Sequence, residues 1–213
     1  MTGNYKITGY STISKNEAGL NGKHEFGSSF RDFREFSTNL YKYLGTDYPK
    51  FYKMDNLCKL GFLASELLLR EKTIRSTFTG NDTGIILVNS SASLDTDRMH
   101  QNTIMNRAGY FPSPSIFVYT LPNIVIGEIC IRNKIMGEGT FFIHEKFNPS
   151  FLTDYTGYLI DCEIINRCIA GWLEIDREDY EALLCLIEKT DESNSGFVNF
   201  EPSVIQDIYL KRN

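Results

Sequence analysis

Three consecutive side chains, His144, Glu145 and Lys146, are the most conspicuous candidates in this sequence for acid–base chemistry. An imidazole beside a carboxylate can be tuned to exchange protons near neutral pH. These residues end a short aromatic segment that predicts a strand, however, and adjacent residues of a strand point to opposite faces of the sheet. The spacing therefore favours a solvated strand end over a catalytic pair.

The cysteines and histidines do not form a metal-binding or disulfide pattern. The cysteine count is five, an odd number, and no two of them have the C-x-x-C spacing of many zinc sites. The three histidines are far apart along the chain. We therefore expect no metal, no cofactor and free thiols, with Cys130, Cys162 and Cys185 packed in the core as small apolar side chains.

Composition and charge exclude several classes of protein. The chain has 213 residues, of which 42% are hydrophobic and 23% charged, and these fractions are typical of a globular domain rather than a disordered chain. The net charge of −5 leaves no broad basic surface for nucleic acid. No apolar run approaches the roughly 20 residues of a membrane span, and the N-terminus does not resemble a signal peptide. We expect a cytoplasmic protein without a nucleic-acid partner.

Hydrophobic periodicity predicts a chain in which strands alternate with helices. The predicted strands cover 5–14, 83–90, 140–144, 168–175 and 182–187, and the predicted helices cover 31–44, 55–71, 95–108, 123–133 and 150–166. This order predicts an α/β domain over residues 1–191, in which one mixed, mostly parallel, five-stranded sheet has helices on both faces. Residues 192–213 are expected to form a loop and a short terminal element.

Five segments, taken in order, match the sequence pattern of one enzyme family. The first strand contains Ile7-Thr8-Gly9, and a later helix contains Pro122-Asn123 followed by Gly127. The other matches are Lys53–Leu60, Gly84–Ser90 with Leu94–Thr96, and Ala170–Glu174. Together these segments, spread over residues 5–189, resemble the N-terminal half of the β-ketoacyl synthases. The resemblance implies a thiolase-like half-fold.

The catalytic residues of that family have no counterpart in this sequence. In active synthases a strand ends in an elbow of small residues, and a cysteine there begins the next helix, whose N-terminus lowers the thiol pKa. Alignment places Glu145 or Lys146 at that position, so we expect no catalytic residue and a degenerate nucleophile position. The second half of a synthase, which supplies two further catalytic residues, is also expected to be missing.

The resemblance also suggests an interface. Complete synthases dimerise by pairing the strand that precedes the nucleophile, and the corresponding interface candidates are Thr140, Phe141, Phe142, Ile143 and His144. Trp172 stands where the family has a small residue; it either fills space left by an active-site cavity or packs in an ordinary core. The helix over 150–166 carries acids beside apolar residues, which predicts either that its inner face meets water or a partly polar interface, or that the acids lie at the helix edges in an ordinary dimer.

These observations lead to one main expectation and two alternatives. The main expectation is a non-catalytic accessory or chain-length-factor-like subunit of a fatty-acid, polyketide or aryl-polyene pathway, with no enzymatic activity by itself. Its partners would be a complete β-ketoacyl synthase, an acyl carrier protein, or both, in a homodimer or heterodimer. The alternatives are a 3-oxoacyl-carrier-protein synthase-type acyltransferase completed by a partner chain, and a homodimeric domain that binds an acyl or aromatic ligand.

Overall fold

The structure, a computed structural model of the chain, describes residues 5–29, 32–70, 80–105, 112–190 and 196–211. The strands are β1 Tyr5–Ser14, β2 Glu17–Leu20, β3 Lys23–Gly27, β4 Thr83–Asn89, β5 Gly139–Ile143, β6 Arg167–Asp176, β7 Asp179–Lys189 and β8 Val198–Asn199. The helices are α1 Phe33–Leu44, α2 Asn56–Leu68, α3 Leu94–Ile104, α4 Pro114–Phe117, α5 Ile124–Asn133, α6 Pro149–Asp161 and α7 Pro202–Leu210. Short 3-10 helices cover Pro49–Lys53, Gly80–Asp82 and Val118–Thr120.

The strands form a single mixed sheet in the order β3-β2-β1-β7-β6-β4-β5, and β8 pairs with β1. In its central part, β4 is parallel to β5 and β6, whereas β7 is antiparallel to β1 and β6. Four of the five central strands therefore run in the same direction, which confirms the predicted mixed, mostly parallel α/β sheet. The sheet has eight strands rather than the predicted five.

The additional strands come from two regions for which no strand is predicted from the sequence, residues 17–27 and 198–199. Two tight turns produce the β2–β3 hairpin on β1, and their central residues have positive φ: Lys15 and Asn16 in the first turn, Asn21 and Gly22 in the second. Such two-residue turns fit the twist of a hairpin, and Asn-Gly is a strong sequence signal for them. The hairpin was missed because its strands contain few apolar residues, although Asn21-Gly22 was visible in the sequence.

The sheet separates two apolar cores. Successive residues of β4 alternate between them, so that Ile85 and Leu87 face α1, α2 and α5, whereas Ile86 and Val88 face α6 and α7. All of β4 is buried, as its continuous apolar sequence predicts. Helices therefore cover both faces of the sheet.

Helix α2 lies inside the first core and is buried on nearly every side. Its Glu66, although ionisable, is only 4% exposed. The Glu66 carboxylate accepts hydrogen bonds from Arg132 of α5 at 3.1 and 3.2 Å and from Thr46 at 3.0 Å. The carboxylate is buried because α1 and α5 cover both sides of the helix and Arg132 supplies the compensating charge.

The C-terminal segment is part of the packed domain. Strand β8 pairs with the start of β1 in the antiparallel direction. Phe200 and Ile205 lie in the second core, with exposed fractions of 7% and 1%. Residues 191–195, around the predicted domain boundary, lie outside the described residues, so the division at residue 191 stays a prediction. The terminal element is a helix, α7, packed beside α6.

Within the described ranges, no single helix is long and apolar enough to cross a membrane. The segments Pro114–Thr120 and Ile124–Asn133 reach the required length and composition only when taken together, across a bend of 95°.

Candidate functional site

The candidate site is the connection between β5 and α6. Strand β5 lies at one end of the sheet, and the chain then turns through residues 144–148 into α6. Asn148 caps this helix, since its side-chain oxygen accepts a hydrogen bond of 3.1 Å from the N–H of Phe151, and Pro149 occupies the first helical position. The local sequence therefore produces a strand–turn–helix elbow.

Glu145 and Lys146 lie in this elbow and are exposed to solvent. Neither makes a hydrogen bond or ion pair within the part of the chain that the structure describes. A carboxylate and an ammonium group in solvent provide no activated nucleophile. The two residues that alignment placed at the nucleophile position therefore lie on the surface of the turn.

His144 does not act together with Glu145. Its backbone N–H donates a hydrogen bond of 2.8 Å to the carbonyl of Asn89 in β4, which continues the ladder beyond β5. Its half-buried ring lies 4.3 Å from the ring of Phe151, between centroids. His144 thus belongs to an aromatic cluster at the end of the sheet, formed by Phe142, His144, Phe151 and Tyr155.

In the elbow, the ring of Phe147 packs against two aromatic rings that come from distant parts of the chain. The ring of Phe147 stacks on Tyr209 of α7, with 4.0 Å between centroids, and meets the edge of Trp172 of β6 at 5.9 Å. The indole N–H of Trp172 and the hydroxyl of Tyr209 both donate to Glu181, at 2.8 and 2.6 Å. We call Phe147, Trp172 and Tyr209 the aromatic plug.

Trp172 is 3% exposed and lies in the second core, so it packs in the core and also contacts the ring of Phe147 in the elbow. Tyr209 and Glu181 are not among the candidate residues predicted from the sequence. Glu181 lies on β7 near its start, and Tyr209 lies in the terminal helix. No local pattern connects either residue with the elbow, because the contact depends on how α7 crosses the sheet.

Helix α6 presents its polar side to solvent. Asp154 is exposed, and Tyr158 has 55% of its surface exposed. Asp161 accepts a hydrogen bond from the hydroxyl of Tyr5. Burial and this neighbouring carboxylate raise the pKa of Tyr5 to about 12. The helix therefore has one face on the sheet and one face in water.

The cysteines differ in their surroundings. Cys58, Cys168 and Cys185 are buried, Cys130 is half-buried and Cys162 is exposed. The prediction that Cys162 packs in the core is wrong, because α6 ends at Asp161 and Cys162 is the residue that follows its last turn. Burial raises the pKa of Cys168 and Cys185 to about 12 and that of Cys130 to about 11.

These environments predict that one thiol out of the five reacts rapidly in the folded protein. With an aromatic disulfide reagent near pH 8, Cys162 should react at the rate of an ordinary accessible thiol, because its side chain is exposed. Cys168 and Cys185 should react at least about a hundredfold more slowly, because burial lowers their thiolate fraction and blocks access. Peptide mapping identifies the labelled residue, and Cys162→Ser should remove the fast phase. A fast phase that remains in this variant would contradict the assignment.

The described residues contain no group of three or more histidine, cysteine, aspartate or glutamate side chains arranged to hold a metal ion.

Comparison with known proteins is informative at the level of structure. No family model and no curated protein matches the sequence. The structure of the ishigamide ketosynthase/chain length factor matches with a TM-score of 0.62 over 90% of this chain, at 16% identity. The chain has the thiolase fold of the β-ketoacyl synthases.

Two further structures share this ketosynthase fold. A ketosynthase, ApeO, in complex with its chain length factor, ApeC, from Xenorhabdus doucetiae matches over 99% of this chain, with a TM-score of 0.56 and 11% identity. The AntDE:AntF complex, a type II polyketide acyl-carrier protein with its ketosynthase, matches over 88%, with a TM-score of 0.57 and 13% identity. The chain spans 64% of the ishigamide protein, 62% of the AntDE:AntF chain and 92% of the matched chain in the ApeO–ApeC complex.

Proposed function

We propose that this chain is a non-catalytic, ketosynthase-like subunit of the accessory or chain-length-factor type. The observation that carries the proposal is the elbow, where Glu145 and Lys146 occupy the turn and Phe147 lies between Trp172 and Tyr209. An acyl thioester needs a nucleophile and free space at this point. The elbow supplies neither, which supports a subunit that does not carry out the chemistry of the family itself.

The proposed partner is a complete β-ketoacyl synthase, and the proposed contact is the outer edge of β5. This edge has no paired strand in the described part of the chain. Because His144 donates its N–H to β4 and successive amides alternate in direction, the N–H of Ile143 points away from the sheet. Ile143 is also 56% exposed. An open, apolar edge of this kind is a template for pairing with another strand.

A second exposed apolar surface lies on the helices between β4 and β5. Helix α3 buries only Thr96 among its 11 residues, and α4 buries none. Apolar side chains with exposed fractions between 39% and 66% form this α3–α4 surface: Leu94, Met99, Met105, Phe117, Val118 and Leu121. Exposed apolar patches mark interaction sites. We assign this surface to the same protein–protein interface.

An acyl carrier protein is the second proposed partner. The chain has a net charge of −5. Several lysine side chains nevertheless lie near Phe51, whose ring centroid is 6.0 Å from the ammonium of Lys59. Burial and the neighbouring Arg34 lower the pKa of Lys59. Lys50 and Lys53 lie on the same 3-10 helix as Phe51; Lys50 forms an ion pair of 2.9 Å with Glu128, and Lys53 is exposed to solvent. An acidic carrier protein would complement this charge, and the pathway class that we propose is fatty-acid, polyketide or aryl-polyene assembly.

One experiment tests the proposal. The protein is incubated with an acyl-carrier thioester, alone and together with a complete β-ketoacyl synthase from the same organism, and intact masses and complex stoichiometry are measured. We expect no acyl adduct on this chain, acylation of the synthase, and a 1:1 complex. An adduct within residues 140–150 or on a cysteine would favour the acyltransferase alternative. A homodimer that does not bind the synthase would favour the ligand-binding alternative.

A further inference from the structure

A groove of about 340 Å³ lies on the side of the sheet that is far from the edge strand β5, near β1 and the β2–β3 hairpin. It runs between the middle of β1, the β2–β3 turn and α7, and its lining includes Tyr10, Thr12, Gly22 and Val198. Sites for small organic ligands are roughly 300–1,000 Å³ in volume. None of the lining residues belongs to the elbow, the aromatic plug or the edge of β5.

The groove exists because α7 covers the sheet incompletely. Ile205 points into the second core, whereas Val204 and Ile208 line the groove and remain half-exposed. The groove stays open where it borders the β2–β3 turn, because Gly22 has no side chain there. A Cβ atom on Gly22 would lie 2.8 Å from the hydroxyl of Tyr10, so the phenol extends beneath the turn. The floor and one wall of the groove are therefore apolar or aromatic.

One end of the groove carries charged side chains, the acid Asp207 and the base Lys211, and a second lysine lies in the adjoining depression. Lys211 borders the groove and also a shallower depression of about 140 Å³ over the hairpin, which Lys23 lines as well. Asp207 lines the groove as well, 3.9 Å from Lys211, but this ion pair is exposed and therefore of little strength. Lys23 has no ion pair within the described ranges. The remaining acid in the depression, Glu17, lies at the far side, next to His24 and Gly27.

We propose that this groove binds a small amphipathic carboxylate. The aromatic or aliphatic body of the ligand lies against Tyr10, Val204 and Ile208, and its carboxylate lies at Lys23 and Lys211. Apolar walls with a few polar groups at one end are the usual construction of a small-molecule site. The proposal is independent of the proposed function, since it uses no residue of the elbow or of the subunit interface.

The test uses trans-cinnamate as the probe and its neutral amide, cinnamamide, as a ligand of the same shape. Binding to the full chain is measured by isothermal titration calorimetry. We expect saturable binding of cinnamate at one site, and binding of the amide weaker by about two- to fivefold, the range for an exposed charge pair. Val204→Trp should weaken cinnamate at least about tenfold, because an indole occupies most of the groove.

Two matched variants serve as controls. The Lys23→Gln variant should bind cinnamate and cinnamamide with more similar affinities, whereas Lys134→Gln, at an exposed lysine that follows α5, should not change the preference for the acid. Ile131→Trp places the same indole on an exposed site of α5, outside the groove, and should leave binding of cinnamate unchanged. Circular dichroism checks that each variant is folded, and Lys23→Gln decides the outcome alone where Val204→Trp does not fold. Absence of saturable binding, or equal effects of the groove and control variants, overturns the proposal.

Discussion

Replacing Ile143 by proline is expected to abolish pairing with a complete β-ketoacyl synthase while the chain itself stays folded. The N–H of Ile143 points to the open edge of β5, so its loss removes no hydrogen bond of the sheet. Proline is tolerated on an edge strand in this orientation, but it removes a donor and its ring obstructs an incoming strand. We expect affinity for the synthase to fall at least about a hundredfold, roughly 2.7 kcal/mol.

The matched control for this prediction is Ile143→Val, which keeps the N–H and most of the apolar surface. It should bind the synthase within a fewfold of wild type. Binding is measured by surface plasmon resonance, and thermal unfolding shows whether each variant is folded. A folded Ile143→Pro variant that binds the synthase with wild-type affinity would show that the subunits meet elsewhere, and the α3–α4 surface would then be the remaining candidate.

Replacing Gly171 by alanine is expected to cost about 3 to 5 kcal/mol of the free energy of unfolding. Gly171 lies in β6, and a Cβ atom built on it would be 1.9 Å from the carbonyl oxygen of Leu183 and 3.0 Å from the Cα of Leu184, both in β7. These are backbone atoms of a central strand, so they cannot move aside as a flexible side chain can. The two strands would have to separate along the most extensive contact in the sheet.

Gly127 provides a control with the same chemical change. It lies in α5, and a Cβ atom built on it meets no heavy atom within 4 Å. Gly127→Ala should stabilise the chain by about 0.5 to 1 kcal/mol, because alanine is the better helix former. Urea denaturation measures both variants. A loss below about 1 kcal/mol for Gly171→Ala would show that β6 and β7 can adjust at this position.

The same pair of glycines shows how far the sequence pattern can be interpreted. Both residues belong to segments that resemble the β-ketoacyl synthases, yet only Gly171 is required by the packing of the described chain. The resemblance supplied the fold correctly, since five short segments in the right order are a constraint on topology. The resemblance could not show why a glycine stands at each position, because that depends on which atoms of the neighbouring strand or helix lie next to its Cα.

The sequence by itself determined the order of the five central strands and of the longer helices between them, the buried central strand β4, and the presence of Glu145 and Lys146 in the turn after β5. These features depend on periodicity and on residue type, which are local properties. Tertiary structure alone decided that Glu66 is buried beside Arg132, that Cys162 is exposed and that Tyr209 reaches Phe147. Each of these depends on where a helix ends or which elements pack against it, and residues far apart in the chain fix those positions.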